Sequence, residues 1–298
     1  MKAIQHIHHI SAIVGNPEEN IAFYRDILNL RLIKKTVNYD DPGTYHLYFS
    51  NNDVDNGTIL TFFNWPNEHV GHTGAGQVGT IAFRIPKDTL EVWKDHLTRN
   101  DITVEVTSLF GQATIQFKDV HGLSLALVED DKAQATHDII GFHGVTMLTE
   151  NPIATAETLV EDMGLEHLNE DSNYMHLATV GEWRHHIMIK KEAPTNRVRF
   201  GVGVVHHIAW SVPNIQAHNV WREKMISKGY HVTEVKDRNY FKAIYMRERG
   251  GIIFEFATIG PGFTIDEPID KLGEKLIIPP QYEDSRESLL RQLPPIRI

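Results

Sequence analysis

Eighteen of the 298 residues are histidine and none is cysteine. Any metal the chain holds must therefore be gripped by nitrogen and oxygen donors. Thiolate zinc sites, iron–sulfur clusters, disulfide frameworks and cysteine nucleophiles are excluded. Two histidine pairs, His8-His9 and His206-His207, each sit in a run of alternating strand character. Glu255 interrupts an apolar run from Ile252 to Phe256. A carboxylate inside a buried strand is costly unless a cation or a metal meets it. Two imidazoles and one carboxylate make the donor set that holds non-haem Fe(II) and leaves positions open on one face; ligand type alone does not separate Fe(II) from Mn(II). With a divalent ion such a set carries one net positive charge, which suits an anionic substrate and O₂.

The elements that must position these residues come as one unit written four times. The first unit starts with His9 to Val14, then Asn16-Pro17 and an apolar-periodic helix through Leu28. The second starts with Thr80 to Ile85, then Pro86 and a helix to about Asn100. The third starts with Gly144 to Thr149, then Asn151-Pro152 and a helix to about Gly164. The fourth starts with His207 to Val212, then Pro213-Asn214 and a helix to about Gly229. Asn before Pro caps a helix whose first turn needs no proline N–H, and Gly suits a helix end. Three strand candidates follow each helix; in the fourth unit they are Tyr230 to Val235, Phe241 to Arg247 and Gly251 to Thr258.

Each unit reads β-α-β-β-β, too little to bury a core alone, so the units must pair. The expected class is α+β: four βαβββ modules paired into two domains with curved mixed sheets whose concave faces make a cavity. The polar stretch Glu129 to Lys132 places the break so that residues 1–133 form the first domain and 134–298 the second. The second carries an extension from about Gly260, rich in Pro, that should wrap the surface.

Composition narrows the partners. The net charge of −10 argues against a general nucleic-acid or anionic-membrane binder. The amino-terminal residues have no apolar signal region, and no stretch approaches a membrane span, so the expected location is the cytoplasm. A homo-oligomer is expected only as the common state of soluble enzymes. Gly74 to Gly79 matches GxGxxG but leads into a strand instead of opening a helix, the wrong context for a dinucleotide site. Asp55-Asn56-Gly57 reads as a hairpin turn.

The four-module pattern resembles the vicinal oxygen chelate superfamily over roughly residues 4 to 260, which implies two domains of that kind. That family binds a divalent metal at the first- and fourth-strand positions of its modules. Here the first-strand position is His9 and His207 in the outer units but Thr80 and Gly144 in the inner ones. The fourth-strand position is Glu255, with Thr61 and Ala126 in the first and second units; the third unit is too divergent to align. The resemblance thus implies His9, His207 and Glu255 as ligands of Fe(II), with Mn(II) as competitor, and no organic cofactor. Strand alternation sends His8 and His206 to the other face, in packing or supporting roles, and leaves Ser11 and Ala209 on the ligand face.

Tyr245, ten residues before Glu255, resembles the spacing of extradiol ring-cleaving dioxygenases. The hydroquinone-cleaving members are similar at Ile7 to Ile10, Tyr45 to Phe49, Val205 to Ala209, Asp237 to Phe241 and Pro261 to Phe263. This implies Arg238 and Tyr245 as catalytic residues, a site built jointly by the first and fourth units, and an aromatic diphenol and O₂ as substrates. Read without the resemblance, Tyr245 is equally a buried strand tyrosine and Arg238 a solvated loop residue. The alternatives are a metal-dependent isomerase, lyase or thiol transferase of the glyoxalase kind, against which Thr61 counts, and a metal-free protein that sequesters an aromatic ligand.

Overall fold

A computed structural model describes residues 2–131 and 138–297. Module 1 comprises β1 (Ile7–Val14), α1 (Pro17–Ile21) continued by a wider turn (Ala22–Ile27), β2 (Arg31–Val37), β3 (Tyr45–Ser50) and β4 (Ile59–Asn64). Module 2 comprises β5 (Gln77–Pro86), α2 (Leu90–Arg99), β6 (Glu105–Leu109), β7 (Gln112–Lys118) and β8 (Ser124–Asp130). Module 3 comprises β9 (Gly141–Leu148), α3 (Pro152–Glu157) with a wider turn (Thr158–Asp162), β10 (Glu166–Glu170), β11 (Tyr174–Ala178) and β12 (His186–Lys190). Module 4 comprises β13 (Val204–Val212), α4 (Ile215–Ser227), β14 (Lys236–Asp237), β15 (Phe241–Arg247) and β16 (Ile253–Pro261). The tail includes α5 (Arg286–Gln292).

The helices begin where the caps predict. Asn16 Oδ1 accepts from the Glu18 and Glu19 amides, Asn151 Oδ1 from the Ala154 amide, and Asn214 Oδ1 from the Ala217 amide. Gly164 and Gly229, at positive φ, follow the helical segments of modules 3 and 4.

The strands form two eight-stranded sheets that curl into half-barrels. Sheet one runs β14-β15-β16-β13-β1-β4-β3-β2 and sheet two runs β10-β11-β12-β9-β5-β8-β7-β6. In every module the first strand pairs parallel with the fourth, and first strands of partner modules pair antiparallel, β1 with β13 and β5 with β9. Module 1 therefore shares a sheet with module 4, and module 2 with module 3. The expected boundary at 133/134 lies outside the described residues, and each sheet takes one module from either side of it.

Alternation divides sheet one. Phe254 and Phe256 are buried toward α4, where Trp221 stacks on Phe256 at 5.2 Å, and Glu255 between them points the other way. His218 of α4 donates from Nε2 to the Phe256 carbonyl at 3.0 Å, which ties the helix to β16.

The expected strand from Tyr230 to Val235 is not formed. The edge strand is Lys236–Asp237, with a single earlier bridge between Val232 and Met246. Tyr230 is drawn away by buried polar partners, donating to Asp162 Oδ2 at 2.7 Å beside the Thr158 hydroxyl.

Two connecting segments, 70–75 and 197–202, run side by side through isolated bridges. A Cβ on Gly74 would lie 2.5 Å from the Arg197 carbonyl carbon. The glycine-rich stretch thus serves close backbone approach between crossing chains. The tail belts module 1: the Ile277 amide donates to the Lys35 carbonyl, and the buried Lys34 ammonium donates to Asp266 and Glu267.

Candidate metal centre and active site

The register of sheet one sets up a local two-fold relation. Across the β1–β13 pair, His9 faces Ala209 and Ser11 faces His207. Along the parallel pairs, Ser11 lies beside Thr61 and Ala209 beside Glu255. On the third strands, Tyr48 faces Thr61 and Tyr245 faces Glu255. His9 thus corresponds to His207, Ser11 to Ala209, Thr61 to Glu255 and Tyr48 to Tyr245.

The relation brings His9, His207 and Glu255 together, with one ligating atom of each within 4.8 Å of the others. Glu255 Oε2 lies 3.2 Å from His9 Nε2 and 2.9 Å from His207 Nε2, and the two imidazole nitrogens are 3.4 Å apart. All three side chains are buried, Glu255 completely. Burial alone would push the Glu255 carboxyl up, but the charge of His9 and the polar contacts with His207 and His9 hold it well below the usual range. Yet neither carboxylate oxygen receives an aligned hydrogen bond.

Histidines also stand behind the site. A carbonyl can only accept, so His8 donates from Nε2 to the Thr258 carbonyl at 3.1 Å. Burial first, and His9 next to it, hold His8 down to about 3, so it is neutral and its Nδ1 carries no proton. His9 Nδ1, 2.8 Å away, is then the donor of that pair, and His9 Nε2 faces Glu255. His206 Nδ1 stands 2.8 Å from His207 Nδ1 in the equivalent place, also held to about 3 by burial. Two imidazole nitrogens and a carboxylate oxygen converge on one point, so the residues fit a divalent cation. His8 and His206, expected on the opposite face, are outside this set of three and orient its imidazoles from behind.

Arg238 and Tyr245 join the same cavity. Arg238 donates from Nε to the Tyr245 hydroxyl at 3.1 Å and from Nη2 to Asp40 Oδ2 at 2.8 Å. Burial works against the Arg238 charge, but Tyr245 and Asp40 more than restore it. Burial, helped by the Glu255 charge, pushes the Tyr245 phenol far above its ordinary range, so it keeps its proton. Asn239 takes a left-handed φ of 60° next to Arg238, a conformation Asn tolerates. Phe63 and Phe241 supply apolar wall.

Sequence reasoning assigned no role to Asp40, His46 or Tyr48, which also line the cavity. Asp40 sits in an Asp-Asp-Pro-Gly turn with nothing to mark it as a partner for a distant arginine. Tyr48 was discoverable by carrying the module comparison to the third strand.

Sheet two places Thr80, Ala126, Gly144 and Met188 at the corresponding positions, as the registers of Ala82 with Ala126 and Gly144, and of Thr146 with Met188, require. Phe110 packs there against His143, His176 and His186. Among the described residues the only His/Asp/Glu group able to converge on a metal is that of sheet one. No helix of the described residues is long and apolar enough to cross a membrane.

The family model for the Glyoxalase/Bleomycin resistance protein/Dioxygenase superfamily matches residues 6–162. The "Putative ring-cleaving dioxygenase MhqO" of Bacillus subtilis (strain 168) is 42% identical over 98% of this chain and 96% of its own. The chlorohydroquinone/hydroquinone 1,2-dioxygenase of Sphingobium indicum is 29% identical over 97% of this chain and 96% of its own. A crystal structure of a "putative dioxygenase" from Bacillus subtilis (subsp. subtilis str. 168) superposes with a TM-score of 0.96 at 41% identity, covering 100% of this chain and 99% of that one. The chain belongs to the glyoxalase/bleomycin resistance protein/dioxygenase superfamily, a metal-dependent one, and His9, His207 and Glu255 form a candidate site for its metal.

Proposed function

We propose that the protein is an extradiol-type dioxygenase that opens the ring of hydroquinone- or catechol-like diphenols with O₂, using Fe(II) held by His9, His207 and Glu255. The observation that carries this reading is the convergence of two imidazole nitrogens and a carboxylate in a buried cavity that also holds Arg238 and Tyr245. The names of the relatives at 42% and 29% identity support it. When bound, Fe(II) would supply a Lewis-acid position for a phenolate and the electron transfer that activates O₂.

The chain's own groups do the rest. Glu255 and two neutral histidines leave one positive charge on a divalent site, which favours the deprotonated diphenol. Arg238 presents a fixed cation, held by Asp40, to negative charge on the ring or on reduced oxygen. Tyr245, still protonated and already hydrogen-bonded to Arg238, offers its hydroxyl proton at the same place. Phe63 and Phe241 restrict water around these charges. The glyoxalase-like reading lacks support at Thr61, which occupies the two-fold image of Glu255 and is engaged with Ser11 and His46.

The test is anaerobic loading with Fe(II), followed by O₂ uptake with a panel of hydroquinones and catechols. Stoichiometric uptake with at least one diphenol is expected. Bound iron with no uptake for any diphenol overturns the proposal.

A further inference from the structure

Module 1 gives the cavity hydroxyls and an imidazole where module 4 gives a carboxylate. Thr61 Oγ1 lies 2.7 Å from Ser11 Oγ and 3.0 Å from His46 Nε2, and His46 Nδ1 lies 3.1 Å from the Tyr48 hydroxyl. Ser11, His46 and Tyr48 line the cavity, and Thr61 is buried behind them.

One direction of this chain satisfies each inner group and leaves one proton over. Burial first, then the charges of His9 and His207, hold the His46 imidazole well below its ordinary range, so it carries one N–H. Burial likewise keeps the Tyr48 phenol protonated. In that direction Tyr48 donates to His46 Nδ1, His46 Nε2–H to Thr61 Oγ1, and the Thr61 hydroxyl to Ser11 Oγ. The Ser11 proton is left for the cavity.

We infer that His46 is a positioning residue: held by Tyr48, it directs the hydroxyl chain so that Ser11 donates a hydrogen bond to the diphenol oxygen that is not on the metal. The inference rests on the diphenol reading above. No proton is transferred; the chain only sets which way each hydroxyl points. A donor there holds the second diphenol oxygen and so sets the orientation of the ring in the cavity. It also discriminates, because a monophenol offers it nothing.

The test is anaerobic titration of the Fe(II)-loaded protein with hydroquinone and with phenol, metal content being checked in parallel. The wild type should prefer hydroquinone by about tenfold, the value of one hydrogen bond to a partly charged oxygen. His46→Leu and Ser11→Ala should bring the two ligands close to parity while phenol affinity and iron stoichiometry stay unchanged. His46→Gln should keep the preference, because its amide can accept from Tyr48 and donate to Thr61. A full preference in His46→Leu, or an equal loss for both ligands, overturns the inference. If His46→Leu fails to fold, Ser11→Ala and Tyr48→Phe decide by the same criterion. A wild type that binds no diphenol sinks the functional reading, and this inference with it. A wild type that prefers hydroquinone, with variants that do so equally, sinks this inference alone.

Discussion

Sheet one and sheet two have the same strand order, the same parallel pairing of first with fourth strands and the same antiparallel contact between partner modules. At the four corresponding positions on the central strands, sheet one carries His9, His207, Glu255 and Thr61, and sheet two carries Thr80, Gly144, Met188 and Ala126 in the same order. The difference extends beyond those side chains. In sheet one each imidazole has a second histidine behind it, 2.8 Å away. In sheet two the residue corresponding to His206 is His143, buried, stacked on His186 at 4.7 Å, 3.8 Å from Asp130 Oδ2, and without an aligned hydrogen bond at either ring nitrogen among the described residues. A Cβ on Gly144 would lie 1.9 Å from the His186 carbonyl oxygen, so the backbone has closed over the place a ligand would need. The same architecture thus serves once as a site and once as a packed support. What separates the uses is donors together with the room to hold them.

That contrast can be broken in graded steps. Glu255→Ala should abolish stoichiometric metal binding, with at least a hundredfold loss of affinity (about what even supporting residues command) and an unchanged circular dichroism spectrum. Full metal content by elemental analysis would remove Glu255 from the centre. Tyr245→Phe should retain metal but slow turnover by about a hundredfold; steady-state kinetics at saturating diphenol checks this, and an unchanged kcat would exclude the hydroxyl from the reaction. In sheet two, Gly144→Ala should cost about 2–3 kcal/mol of stability in denaturant unfolding, as overpacking against backbone does, with metal content per folded molecule unaltered. A neutral result would mean that β9 and β12 separate easily. His143→Leu should change stability by less than about 1 kcal/mol, because the imidazole it removes makes no aligned hydrogen bond, and should leave iron binding intact. Loss of iron on that change would mean the two sheets are coupled.

Much of this was legible in the residues. The repeats placed the helix caps at Asn16 and Asn151, and comparison among modules singled out His9, His207 and Glu255 as the chemically distinct set. The structure brings these three together, along with Arg238 and Tyr245. What was not legible depended on partners far away in the chain. Asp40 is an ordinary turn carboxylate until Arg238 reaches it from module 4. Tyr230 has the look of a strand residue and leaves the sheet edge because Asp162, in module 3, offers a better partner. Alternation put His8 and His206 on the opposite face, yet the ring edges of neighbouring residues still meet at 2.8 Å. Periodicity registers the direction of a side chain but not the reach of its ring.

The pairing of the first module with the last has a consequence for biogenesis. Modules 2 and 3 are neighbours in the chain, and sheet two needs nothing from module 4 for its strand pairing. Sheet one joins β1 to β13 and β16, contacts of long sequence separation that close slowly. On the ribosome, β1 emerges before β13 and β16, and its histidines cannot meet Glu255 until module 4 has been made. A prematurely terminated or carboxy-terminally clipped product would lack Glu255 and so could not assemble the full donor set. Quality control of the metal centre is in this sense written into the order of synthesis.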